Sequence, residues 1–254
     1  MARLPIGNSQ LQQALERRKA LKIISGLNNF DRASVAATVK AATAGGATFV
    51  DLAADPELVR FARLLTPLPL CVSAVEPEKF VPAVEAGADL IEIGNFDSFY
   101  ALGRCFEPSE VLALTEQTRS LLPNIPLSVT VPHTLPLDRQ VELAEALVRA
   151  GANLIQTEGG TSSQPAHPGV LGLIEKAAPT LAAAHSISRA VSVPVLCASG
   201  LSSVTVPMAI AAGASGVGVG SAVNQLEDLV AMVAAVRSLV EALNSATRTS
   251  GVRG

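Results

Sequence analysis

Asp51, Glu92 and Glu158 stand in three of the four copies of one short pattern, and acids so placed suit proton transfer. The pattern is a Gly-Ala entry into an apolar run: GGATFVDLA at 45–53, AGADLIEIG at 86–94, AGANLIQTE at 150–158 and AGASGVGVG at 212–220. Side chains on a strand alternate with period two, so each copy has two faces. One face carries Val50/Leu52, Ile91/Ile93, Ile155/Thr157 and Val217/Val219, apolar enough to meet helices. The other stacks Phe49, Leu90, Leu154 and Gly216, then Asp51, Glu92, Gln156 and Gly218, then Ala53, Gly94, Glu158 and Gly220. Two acids in one layer repel, which raises one pKa toward the range where a carboxyl exchanges protons. The competing reading is a structural pair hydrogen-bonded to Lys22 or Gln156, since a bare buried carboxylate costs several kcal/mol. Lys22 opens the first apolar run, as a counter-ion or as a phosphate or carbonyl ligand. A Schiff-base role is the weaker alternative, because the matching run at 154–157 holds no lysine. Gly216, Gly218 and Gly220 should leave an open flank beside the acids.

Glu158 leads into the long segment GGTSSQPAHPGVLG, in which Gly159 and Gly160 could hinge a lid and Thr161 offers a hydroxyl. Gly200 and Ser202 in CASGLSS, with Gly220 and Ser221 in GVGSAV, place small residues before two helices, where free N–H groups bind phosphate. The dinucleotide fingerprint fails there on spacing, with Ser221 or Val223 where its third glycine belongs. Asn-Phe-Asp occurs at 29–31 and 95–97, so Asn28, Asn29 and Asn95 become binding candidates. Asp55 before Pro56 reads as a helix cap, as does Glu76 before Pro77. His133 and His167 are lone histidines, more often surface or capping residues than bases, and His185 reads as structural.

These residues need elements to hold them. Eight apolar runs, 21–26, 48–52, 70–74, 90–94, 127–131, 154–157, 193–199 and 216–220, alternate with helical stretches at 32–44, 56–65, 77–86, 108–121, 137–150, 173–191, 203–212 and 224–243. That count and length predict an α/β fold, a (β/α)8 barrel, with a short N-terminal helix on Leu11, Ala14 and Leu15. An open doubly wound sheet is the rival, but the repeat marks every second unit, as a closed barrel with quarter-like repeats would. Residues 1–243 read as a single barrel domain and 244–254 as a loose tail.

The net charge is −3, with no tryptophan, one tyrosine and no basic run, which offers little to nucleic acid. A mean hydropathy of +0.40 fits a sheet buried on both faces. No run is read as reaching the ~18 apolar residues of a membrane span. Cys71, Cys105 and Cys197 are dispersed, as expected of reduced thiols, and the start carries no secretion signal. The expected partner is a phosphorylated small molecule, and a homo-oligomer is admissible.

The segment PVLCASGLSS with PMAIAAGASGVGVGSA resembles the last two units of phosphate-binding barrels, including thiazole synthase and the ribulose-phosphate-binding group. KIISGLNNFD, GATFVDLAAD, GADLIEIGNFDSFY and IQTEGGTSS resemble, across nearly the whole chain, the hypothetical chloroplast open reading frame twenty-three family of algal plastids and cyanobacteria. That resemblance implies the barrel fold and a plastid stroma or cyanobacterial cytoplasm, and it assigns no catalytic residues. The expected activity is acid/base chemistry on a small phosphorylated metabolite, by an isomerase or lyase. The alternatives are an oxidoreductase holding flavin mononucleotide (FMN) in the same cradle, and a non-catalytic ligand-binding or regulatory barrel. An Asp/Glu mouth could also take Mg2+, although no metal-ligand spacing stands out.

Overall fold

The computed structural model describes residues 9–160 and 163–249. Eight parallel strands close into one barrel in chain order: β1 Ala20–Ile24, β2 Phe49–Ala53, β3 Leu70–Ala74, β4 Leu90–Ile93, β5 Leu127–Thr130, β6 Leu154–Gln156, β7 Val195–Ala198 and β8 Gly216–Val219. β1 pairs with β8 through Lys22 and Gly218, and with β2 through Lys22 and Phe49. The open-sheet alternative is thereby set aside. The helices are α1 Ser9–Glu16, α2 Arg32–Gly45, α3 Pro56–Arg63, α4 Phe80–Glu85, α5 Asp97–Tyr100, α6 Pro108–Leu121, α7 Leu137–Arg149, α8 Gly169–Ala190, α9 Val206–Ala212, α10 Ser221–Asn224 and α11 Leu229–Thr249. A 3-10 turn, Pro77–Lys79, precedes α4.

The alternation read from the repeat divides the core in two. Val50, Leu52, Ile91, Ile93, Ile155, Val217 and Val219 join the large outer cluster between strands and helices. Phe49, Leu90 and Leu154 form a second cluster inside the barrel with Ala20, Cys71 and Leu196. Leu11 and Leu15, one turn apart on α1, belong to it too, so the N-terminal helix stoppers the barrel at the end where the strands begin.

Four elements depart from expectation. α5 is an extra turn after β4, started by the second Asn-Phe-Asp. α8 begins at Gly169 rather than 173. α10 is separate from α11, and α11 continues to Thr249, through part of what reads as a tail. Leu229–Ala246 is also long and apolar enough to cross a membrane, contrary to the reading that no such run exists. Its Met232, Val236, Leu239 and Leu243 are buried at helical spacing, which makes α11 an outer helix of the barrel.

Candidate active site

The polar layer at the barrel centre is closed. Glu92 on β4 faces Lys22 on β1, with Nζ 2.8 Å from each carboxylate oxygen and both side chains fully buried. Ser128 Oγ donates to Glu92 Oε2 at 2.7 Å and Gln156 Nε2 to Oε1 at 2.8 Å, so its lone pairs are largely occupied. Burial alone would strip the Lys22 proton, but the carboxylates of Glu92 and Asp51 outweigh it and hold the ammonium well above its usual range. Asp51 accepts a short hydrogen bond from Ser73 Oγ, and its Oδ2 has no partner among the described residues. Burial pushes its pKa up to about 6 against the opposing pull of Lys22, with the Glu92 charge adding to the rise. Cys71, alongside, is pushed up by burial and by Asp51. These three candidates thus come together below the cavities of the mouth; Glu92 bonds to both Lys22 and Gln156, as the structural reading had it, whereas Asp51 bonds to Ser73 instead.

A second polar cluster sits one layer higher, where β4, β5 and β6 end. β4 turns sharply at Asn95, whose φ of 63° lies in the left-handed region that Asn tolerates. The turn directs Asn95 Nδ2 back toward Glu92 Oε1 at 3.4 Å and brings the N–H of Asp97 to Glu158 Oε2 at 3.2 Å. Glu158 Oε1 accepts from the Tyr100 hydroxyl, the His133 N–H at 3.2 Å and, across 3.3 Å, His133 Nδ1. His133 Nδ1 lies 3.7 Å from Asp97 Oδ1, and Ser199 Oγ donates to Asp97 Oδ2 at 2.7 Å. Burial raises the Glu158 pKa, with the His133 hydrogen bond opposing. Burial lowers that of His133, but Glu158 and Asp97 carry it above the ordinary value. Desolvation and Glu158 raise that of Tyr100. The arrangement is a carboxyl–imidazole pair 3.3 Å apart whose carboxyl borders a cavity. Ligand atoms of Asp97, His133 and Glu158 all lie within 4.8 Å of one another, a spacing open to one cation, although Tyr100 and Ser199 already bond to these carboxylates.

That cavity, of about 200 Å3, has Gln156 and Ala198 low in its wall, Asn95, Asp97 and Glu158 on one side, and Ser199, Gly200, Gly220 and Ser221 on the other. The strand 8 glycines need a correction. A Cβ at Gly216 would lie 2.4 Å from the Ala20 oxygen, and one at Gly218 would lie 2.9 Å from the Ala198 Cβ, so neighbours fill the flank expected to be open. Gly220 alone of the three has room, its nearest atom at 3.5 Å, and it borders the cavity. Gly200, at φ 72°, packs against Gly160, whose added Cβ would lie 2.4 Å from the Gly200 Cα; loops 6 and 7 touch there through bare backbone. Gly159 fits against His133 and Pro179.

Ser202 spends its N–H on Thr205 Oγ1 at 2.9 Å and does not line the cavity. Asn28 lines a neighbouring cavity, and Thr161 lies outside the described residues. Asp55 caps α3 at 2.8 Å, as its setting before proline implies. His167 pairs with Glu175 on the surface, 2.6 Å apart.

Three members of the mouth cluster escape the sequence reading: Asp97, Tyr100, and His133 as the partner of Glu158. The available signal was position, because Asp97 and His133 each follow the end of a strand, and those strands are neighbours.

The comparisons agree with the fold. The chain resembles thiamine phosphate pyrophosphorylase from Pyrococcus furiosus (TM-score 0.60, 20% identity, 91% of this chain and 98% of that one). It also resembles (S)-3-O-geranylgeranylglyceryl phosphate synthase from Thermoplasma acidophilum, solved with sn-glycerol-1-phosphate (TM-score 0.61, 15% identity, 92% and 98%). Among sequence relatives, uncharacterized protein ycf23 of Cyanophora paradoxa is 45% identical over 246 residues, 94% of this chain and 99% of that protein. The ycf23 protein of Porphyra purpurea is 36% identical over 238 residues, 94% and 90%. Residues 6–249 match the family described as protein of unknown function DUF561, and the chain, a (β/α)8 barrel, belongs to that family with its plastid Ycf23 homologues.

Proposed function

We propose that the chain is an enzyme that binds a small phosphorylated metabolite at the mouth and moves a proton on it, as an isomerase or lyase. One observation carries the reading: a single cavity has Gly200, Gly220 and Ser221 on one wall and Glu158 with Asp97 on the other. Loops 7 and 8 are the usual phosphate site of such barrels. Ser221 begins α10, so its N–H has no acceptor within the helix. Across the cavity, Glu158 Oε2 accepts only the Asp97 N–H among the described residues, which leaves a lone pair for a substrate proton. Burial raises the Glu158 pKa, which favours proton exchange there, and the His133 imidazole lies 3.3 Å from its other oxygen. Lys22, Asp51 and Glu92 then act from beneath, Glu92 fixing Gln156 in the cavity wall. The resemblance of the relatives supports a plastid stroma or cyanobacterial cytoplasm as the compartment.

The test is calorimetric titration with sn-glycerol-1-phosphate and other small phosphate esters. Gly220 has negative φ and space around it, so Gly220→Ala should fold and bind while Gly220→Val blocks the phosphate wall. The expected result is binding by the wild type and Gly220→Ala, with a loss of about tenfold or more in Gly220→Val, a deficit of ~1.4 kcal/mol or above. Equal binding by all three would remove the reading.

A further inference from the structure

A larger cavity, of about 360 Å3, opens beside the first over the ends of β1, β2 and β3. We infer that it receives an apolar, ring-sized group carried by the same phosphate ester, an inference that rests on the function proposed above. The two cavities are neighbours along the chain in two places, with residues that follow one another lining first one and then the other. Ile24 and Gly26 line the first and Leu27 and Asn28 the second, while Asp97 and Ser98 line the first and Phe99 the second. The first is smaller than the roughly 300–1,000 Å3 of most ligand sites, whereas the second falls within that range.

Their chemistry is complementary. The first is walled mainly by amides, hydroxyls and carboxylates, whereas Leu27, Phe30, Ala54, Ala74, Pro82 and Phe99 dominate the second. Charged groups bordering the second are already engaged. Lys79 pairs with Glu76 at 3.2 Å, and Asp55 caps α3. At its inner end Ser73 donates to Asp51. No free charge is therefore offered to a second phosphate, and Phe30 keeps 58% of its surface exposed, apolar area that a ring would cover. Phosphate and proton chemistry belong to one half of the mouth and the apolar group to the other.

Phenyl phosphate and methyl phosphate carry the same charged group and differ in the ring, so calorimetry on the intact protein reads the second cavity alone. The wild type should prefer phenyl phosphate by about tenfold, the return from burying one ring less its ordering cost. Ala54→Leu, which fills the cavity, should abolish that preference and leave methyl phosphate binding unchanged. Phe30→Ala, at an exposed position with little bearing on folding, should reduce it even if Ala54→Leu proves unstable. Equal affinity for the two esters, or a preference that survives both variants, overturns this inference while leaving the phosphate site intact. Binding of neither ester overturns both.

Discussion

The barrel centre and its mouth both hold acids against a basic side chain, yet they are built to opposite ends. At the centre Glu92 and Lys22 are sealed from solvent, and each Glu92 oxygen is contacted from more than one side. At the mouth Glu158 and Asp97 share an imidazole beside open volume, and one Glu158 oxygen is lightly used. The occupied lone pairs of Glu92 fix its geometry, even though Asp51 Oδ2 and Gln156 Oε1 beside it find no partner among the described residues, and a carboxylate with a lightly used oxygen beside a cavity can exchange a proton. The difference teaches that the function proposed here depends on the mouth, with the centre as its foundation.

The sharpest break in that comparison is to remove half of the central pair. Glu92→Leu leaves a buried ammonium without its partner, and unfolding by urea should show a loss of about 3–5 kcal/mol. Lys22→Met combined with Glu92→Leu should recover most of it, because two apolar groups replace a paired charge. If Glu92→Leu unfolds like the wild type, the centre is not the foundation described.

Asp51 sharpens the comparison through pH. The folded protein keeps this proton up to about pH 6, whereas the unfolded chain releases it near 3.8. Folding is thus helped fully below the lower value, and the help is lost as pH rises through the higher one, by about 3 kcal/mol in all. Asp51→Asn should therefore melt like the wild type in acid and progressively above it toward neutrality. A constant difference across that range would mean that Asp51 is ionised throughout.

The smallest effect contrasts the two Asn-Phe-Asp copies. Asp31 caps α2 through the Ser34 N–H at 2.8 Å, and Asp31→Ala should cost ~1 kcal/mol in urea unfolding with ligand binding unchanged. Asp97→Asn should cost less stability, keeping the Ser199 contact, yet lower the His133 pKa in an NMR titration, since Asp97 helps to raise it. An unmoved His133 would separate Asp97 from the cluster.

Those two copies also mark how far the sequence could be read. The strand runs, the inward acids and the outer apolar face were legible because period-two alternation and the Gly-Ala repeat are local. So was the Asp55 cap. The copies of Asn-Phe-Asp read alike, but Phe30 is exposed while Phe96 is fully buried against Phe106, 4.3 Å between centroids. What separates them is the ring of neighbours beyond each strand end, which no local pattern encodes. The same limit hid the pairing of His133 with Glu158 and the filling of space beside Gly216 and Gly218 by Ala20, Ile24 and Ala198. The glycines looked like absent side chains, and the volume was taken by other chain segments.

The most direct measurement is NMR in D2O of deuterium exchange into the C–H beside the carbonyl of short phosphorylated ketones and aldehydes. The wild type should catalyse exchange into a ligand that binds, and Glu158→Gln should bind it equally but lose about 10²–10⁴ of the rate. Exchange undiminished in Glu158→Gln, or absent from every ligand bound by the wild type, would contradict a proton-transfer site at the mouth.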